Sequence, residues 1–351
     1  REMMVHVSII ICLVIAATAL FQSNQRRFFS RRTLVNYSSA LGKKCLADED
    51  NCVHVVLAAE GLYIAPLFAS ISSMYTSTRD ISIHLLVGKG ETDVFVGTDA
   101  FRKFLPEVPI EILEFDDSVV SPLITIWEGS HFHRNTLNYA RFFLQDLFPH
   151  LSYMIYMDPD TITRGNLGEM VKLFKNIRKN EPHMLLAAVP YNYRRWFRGT
   201  YAYILNCFDT EISAAVNCTE PYFNAGVFVT NLQLWRAARV RERLEIWMGR
   251  NANRQLWKLG SQAPFNLVFS GRWAPLAPVW NFRQSERDKF LAHDEQYLDK
   301  IKIMHFAGKR KPWTSAGTKQ WRYWCPHYPL RSIDPMTPFC RNSSDAHTWP
   351  G

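Results

Sequence analysis

Apolar residues along this chain change their period in a regular order. Residues 53–58, Val53-His-Val-Val-Leu-Ala58, form a short β-branched apolar run, the imprint of a buried strand. A helical spacing follows over 63–75, then a strand at 81–87, a helix around 94–105 and a strand at 110–115. This alternation predicts an α/β domain with a mostly parallel central sheet covered by helices. Beyond a loop of Ser and aromatic residues, 136–148 predicts a helix and 153–157 a buried strand running directly into Asp158. Strands at 184–189, 223–230 and 301–305, a basic amphipathic helix at 232–250 with Trp235 and Trp247 as core anchors, and a short helix near 264–269 complete the order. No internal repeat interrupts it.

The amino-terminal part reads differently. Residues 5–21 are the one long apolar run, broken only by His6, Ser8 and Thr18, slightly under the roughly 20 residues of a typical membrane helix. Two readings stand: a signal anchor over 1–22 that tethers a lumenal domain, or a cleaved signal peptide processed at Ala17-Thr18-Ala19. Arg26, Arg27, Arg31 and Arg32 follow the run and count against a lumenal domain, since positive charge prefers the cytosolic side. Over 23–51 apolar periodicity gives way to Arg, Lys and Ser, which predicts a stem; the folded domain then takes 52–330 and a tail 331–351.

Charge and cysteines refine this picture. The net charge of +9 is partly that basic cluster, and no dense interleaving of aromatic with basic residues points to nucleic acid. Cys45, Cys52, Cys207, Cys218, Cys325 and Cys340 remain after Cys12, none with CxxC spacing. Disulfides in an oxidising compartment, in a pairing left open, are weighed against buried free thiols. Three glycosylation sequons, at Asn36, Asn217 and Asn342, agree with a lumenal destination.

Asp158 and Asp160 flank Pro159 at a strand end. Alternate side chains of extended backbone share a side, so both carboxylates can face one hard divalent cation whose open positions take substrate phosphates. An Asp-x-Asp in a turn or helix cap is the bland rival. Ile303-Met-His305-Phe-Ala-Gly308-Lys-Arg-Lys311-Pro312-Trp313 adds a nitrogen ligand in His305, which suits Mn²⁺ better than Mg²⁺. In the same stretch Gly308 lets backbone approach phosphate, and Lys311 supplies a neutralising charge.

Together with Val55-Val-Leu-Ala-Ala-Glu60, Asn138-Tyr-Ala-Arg141-Phe-Phe, Tyr156-Met-Asp-Pro-Asp160, Phe223-Asn-Ala-Gly-Val-Phe-Val-Thr-Asn-Leu232 and Trp280-Asn-Phe-Arg283, this stretch resembles glycosyltransferase family 8 from about 53 to 324. The family includes animal glycosyltransferase 8 domain-containing proteins, plant galacturonosyltransferases and bacterial galactosyltransferases. The resemblance implies a GT-A fold, a UDP-sugar donor, Mn²⁺, and transfer with retention to a glycan or glycoprotein hydroxyl. It also implies a Golgi membrane location with a lumenal catalytic domain, the endoplasmic reticulum being the alternative. Carried over by position, Ala58, Glu60 and Tyr63 line the uracil and ribose pocket, Asp158, Asp160 and His305 hold the metal, and Gly308 and Lys311 bind the diphosphate. Arg141, Asn224, Ala225 and Gln262 contact the donor sugar, with Gln262 nearest the reacting face. Their rivals are a helix-surface charge for Arg141, a strand-end role for Asn224 and a helix cap for Gln262.

Glu60, Leu62, Pro190 and Ser261 depart from the bacterial pattern, the last two standing where acids often sit. With no carboxylate to nominate as nucleophile, same-face attack by the acceptor is the expected route, with Gln262 steadying an oxocarbenium-like sugar. The aromatic and basic stretch from Tyr191 to Tyr203 suits an acceptor platform or a packed loop. Two other functions remain in view: a catalytically silent member that binds sugar nucleotide or glycan, and a nucleotide-sugar hydrolase.

Overall fold

The computed structural model describes residues 28–47, 49–60, 63–93, 100–125, 127, 135–191, 199–257, 260–283, 299–308, 311–314, 321–329 and 340. Its strands are β1 (Phe29–Val35), β2 (Val53–Ala58), β3 (Ile81–Val87), β4 (Ile110–Phe115), β5 (Tyr153–Met157), β6 (Thr161–Thr163), β7 (Leu186–Pro190), β8 (Phe223–Asn231), β9 (Trp273–Pro275), β10 (Phe282–Arg283) and β11 (Ile303–His305). Eight make one sheet in the order β1-β4-β3-β2-β5-β8-β7-β9. Its centre, β4-β3-β2-β5, is parallel, whereas β1 and β8 join the block antiparallel. A second, small sheet runs β10-β11-β6.

Helices cover both faces, which is why the central strands read as unbroken apolar runs. The period of two decides which face each residue serves. Val55 and Leu57 of β2 pack with Leu67 and Phe68 of the Ile64–Ser77 helix and Phe174 of the Leu167–Asn180 helix. Val56, between them, faces Phe142, Phe148 and the buried Trp235. The Leu167–Asn180 helix was not anticipated; Asn166 caps it by accepting from Gly168 N at 2.8 Å.

Several expectations need correction. Residues 29–35, read as part of a stem, form β1 and pair antiparallel with β4 along the sheet edge. The Ala40–Ala47 helix follows, and the Cys45–Cys52 disulfide ties it to the start of β2. Polar outward positions on an edge strand hide its periodicity. The helix expected at 136–148 is a 3₁₀ segment, Thr136–Phe143, and one α-turn, Leu144–Leu147. The long basic helix divides into Leu232–Ala237 and Val240–Asn253 at Arg239, whose φ is 52°. That left-handed residue turns the chain so that Trp235 and Leu244 both enter one core, while Trp247 stays half-buried. Of the helix expected at 94–105, the described part is Ala100–Phe104. Cys207 pairs with Cys218 and Cys325 with Cys340, so the disulfide reading holds. Among the described residues no helix is long and apolar enough to cross a membrane; the apolar run at 5–21 lies outside them.

A polar chain stitches β1 to the core. His54, His84 and Glu111 sit on the same sheet face of three adjacent strands and are almost fully buried. His54 Nδ1 lies 2.9 Å from His84 Nε2, and His84 Nδ1 lies 2.5 Å from Glu111 Oε2. Arg32 of β1 closes the chain, its Nε 2.5 Å from Glu111 Oε1. Burial pushes the Glu111 carboxyl up, but hydrogen bonding and charge from His84, then charge from Arg32, outweigh it and bring it down to about 2 from 4.5. A depressed carboxyl supplies stability that is full above the unfolded value and vanishes as pH falls through the folded one. Wild-type thermal stability should therefore decline between about pH 4.5 and 2. Glu111→Gln should be less stable at pH 7 and flatter across that window, as read by thermal unfolding; a wild-type slope in the variant would refute the assignment.

Candidate active site

The sheet's connectivity gathers the acids and their neighbours at one edge. Because β5 runs parallel to β2, with Val55 opposite Ile155, residues following each strand emerge together. Asp158, Pro159 and Asp160 thus line one cleft with Ala58, Glu60 and Tyr63, at the carboxyl ends of strands where open α/β sheets bind ligands. Antiparallel β8 brings Gly226 alongside, and Asp158 N donates to Gly226 O at 2.7 Å. Pairing of β11 with β6 sets His305 opposite Thr161, next to Asp160.

Asp158, Asp160 and His305 each present a ligand atom within 4.8 Å of the others. His305 Nε2 is 3.2 Å from Asp160 Oδ1 and 3.7 Å from Asp158 Oδ2. Asp160 Oδ1 is buried, with the His305 imidazole as its near neighbour among the described residues. Burial raises the Asp160 carboxyl, yet His305 and Lys311 beside it hold it well below the usual carboxylate range, so it is ionised at neutral pH. Two carboxylates and an imidazole converging on one point fit a divalent cation with oxygen and nitrogen ligands. Gly226 makes the room: a Cβ there would lie 2.4 Å from both Asp158 Oδ2 and His305 Cε1.

Two cationic side chains touch this cluster and two amides brace the start of β8 beside it. Lys311 pairs with Asp160 Oδ2 and donates to Phe306 O at 3.0 Å. Arg141 is buried, not a surface charge; it donates to Asp158 Oδ1 at 3.2 Å, Ala225 O at 2.7 Å and Asn138 O at 3.1 Å. Its guanidinium lies 4.5 Å over the Tyr156 ring. Gln262 opens the Gln262–Phe269 helix, and its amide bridges the start of β8, accepting from Ala225 N at 3.0 Å and donating to Phe223 O. Asn266, one turn on, clasps both the N–H and the carbonyl of Phe223, at 2.8 and 3.0 Å.

On the Glu60 side of the cleft, burial first and Glu91 second raise the Glu60 carboxyl. Tyr63 meets Trp313 edge-on at 6.2 Å. Gly308 is exposed with φ 96°, a conformation that requires glycine. Of the aromatic stretch, Tyr191 stacks on Tyr222 at 4.8 Å and lies 3.7 Å under the Arg283 guanidinium, Tyr201 is buried and Tyr203 exposed. Tyr193, Trp196 and Phe197 lie outside the described residues.

Residue-type reasoning gave no role to Asn135 and Asn138, which also line the cleft, nor to Gly226 or Asn281. The fully buried Asn281 between Trp280 and Phe282 was the available signal: an amide there needs partners.

A mixed sheet with a parallel centre, an acid pair following one central strand and a histidine delivered by a small second sheet make up a GT-A-like α/β fold. Residues 54–317 match the family described as Glycosyl transferase family 8, and the chain belongs to that family. It is 26% identical over 292 residues to a probable galacturonosyltransferase-like 6 of Arabidopsis thaliana, covering 80% of each chain. It is likewise 26% identical over 284 residues to the human glycosyltransferase 8 domain-containing protein 2, covering 78% of this chain and 81% of that one. The solved galactosyltransferase LgtC, in complex with donor and acceptor sugar analogs, superposes with a TM-score of 0.60 at 19% identity over 81% of this chain and 98% of that one. The protein is therefore a transferase enzyme.

Gly226→Ala should displace Asp158 and His305. Misplacement of about 1 Å typically costs on the order of 10²-fold in rate, so sugar transfer should fall by about that factor while circular dichroism stays native. Unchanged transfer by the variant would contradict the close packing at Gly226.

Proposed function

We propose that the enzyme transfers the sugar of a UDP-sugar to a hydroxyl of a glycan or glycoprotein, with retention of anomeric configuration and with Mn²⁺ as cofactor. One observation carries the reading: Asp158, Asp160 and His305 converge within 4.8 Å beside a cleft lined by Ala58, Glu60 and Tyr63. The cleft residues would take the nucleoside. The three ligands would hold the ion, which when bound supplies Lewis-acid stabilisation to the departing diphosphate.

The chain's own residues do the rest. Gly308 would offer backbone to the diphosphate, and Lys311, paired with Asp160, would neutralise charge as UDP leaves. Arg141 holds Asp158 in orientation. Gln262, braced on Phe223 and Ala225, presents a fixed amide at the donor sugar beside Asn224. Same-face attack by the acceptor hydroxyl asks for no protein nucleophile, consistent with Pro190 and Ser261 where related bacterial enzymes carry acids. Three disulfides support a secretory-pathway location, and the apolar run at 5–21 would anchor the chain in the Golgi membrane with its catalytic domain lumenal.

Incubation with Mn²⁺ and a panel of UDP-sugars, with and without glycan acceptors, should give UDP release that depends on both metal and acceptor. Release without acceptor would indicate hydrolysis, and donor binding without turnover a silent member. Gln262→Ala should lower kcat by about 10²-fold, the scale of losing one preorganised polar contact to the transition state; an undiminished rate would remove Gln262 from the chemistry. Lys311→Met should lower donor turnover yet tighten binding of Mn²⁺ alone, because the ammonium no longer competes for Asp160. Weaker Mn²⁺ binding in that variant, measured by electron paramagnetic resonance, would overturn the competition.

A further inference from the structure

The ligand nitrogen of His305 is selected by a polar relay that begins at a backbone amide. Gly226 N–H donates to Asn224 Oδ1 at 3.0 Å, which identifies that atom as the oxygen. The Asn281 atom 3.0 Å from the same oxygen must then be the donor Nδ2. Its Oδ1 therefore faces the other way, toward His305 Nδ1 at 2.9 Å. An amide oxygen only accepts, so His305 Nδ1 carries the proton. Nε2 is the atom turned toward Asp158 and Asp160, and it offers a lone pair there when the ring is neutral.

We propose that Asn281 is a positioning residue which, through Asn224 and the Gly226 amide, holds His305 in the Nδ1–H tautomer and so makes Nε2 the metal-binding atom. The inference rests on the metal reading above but makes a claim of its own about the imidazole. Free neutral histidine favours the opposite tautomer, so a site without this relay works against the ring's intrinsic preference. Asn281 is fully buried and His305 almost so; water is a poor substitute acceptor there. Outer partners of metal-bound histidine orient the ring and raise its basicity, and their loss typically costs about 10–100-fold in metal affinity. Asn224, placed by resemblance at the donor sugar, has its side-chain oxygen committed to this relay and supports the ligand set from behind.

Two variants and one measurement on the wild type test this. Asn281→Leu removes the acceptor at similar size, whereas Asn281→Asp keeps an acceptor for Nδ1–H while replacing the donor to Asn224 with a charged oxygen. Titration of each full chain with Mn²⁺ alone, followed by electron paramagnetic resonance, should show about 10–100-fold weaker binding in Asn281→Leu. Its electron-spin-echo signal from coordinated imidazole nitrogen should be lost. Asn281→Asp should bind within a few-fold of wild type and keep that signal. Equal losses in both variants, or wild-type binding by Asn281→Leu, would overturn the proposal.

Should Asn281→Leu fail to fold, ¹⁵N-histidine spectra of the chelator-treated wild type at pH 8 decide alone. The His305 resonance, identified by its absence in His305→Gln, should show a proton on Nδ1; a neutral ring whose single proton is on Nε2 refutes the relay. If wild type binds no Mn²⁺ but shows Nδ1–H, the metal reading fails and the positioning of His305 stands.

Discussion

The approach of Gly226 to Asp158 and His305 is the contact on which the site depends. Its carbonyl accepts from Asp158 N, its amide starts the chain through Asn224 and Asn281 to His305, and its bare Cα leaves space that a methyl group would fill at 2.4 Å from both ligands. One residue without a side chain thereby sets Asp158, which follows β5, against a histidine from β11, strands that belong to different sheets. Such close backbone approach is what glycine permits and what any other residue forbids.

Around that contact the polypeptide has to keep buried charge soluble in protein. Asp160 and Arg141 are almost fully buried, and an unpaired charge there would cost several kcal/mol (on the order of 3–5). Arg141 offsets Asp158 and places two further donors on the carbonyls of Ala225 and Asn138. Lys311 offsets Asp160. Such cations tune a site as well as stabilise it: a carboxylate kept ionised is ready for a divalent ion, and the lysine that keeps it so belongs to the stretch expected to meet the diphosphate.

The sheet's other end follows a separate logic with the same ingredients. Glu111, His84 and His54 run across three strands in a buried layer, and the half-exposed Arg32 of a fourth strand closes the row at the edge. Their bonds recruit an edge strand from a segment whose composition looks like a linker. Three disulfides, each closing a short loop, lie outside the central sheet and restrain its periphery.

The central strands were legible because burial on both faces leaves an apolar run that needs no context: β2 to β5 fall where the hydrophobic pattern put them. Asp158, Asp160 and His305 were legible as chemistry, since ligand-type residues at strand ends stand out. Decisions that depend on partners distant in sequence were not. The fate of 29–35 hung on Glu111, some eighty residues away and buried; the division of the basic helix hung on one left-handed residue, Arg239; the location of Arg141 hung on Ala225 and Asp158. Local sequence determined the central buried strands and which residue types the site can use. Only tertiary structure decided which atoms meet, because hydrogen-bond direction and the room beside Gly226 are properties of strands brought together from far apart in the chain.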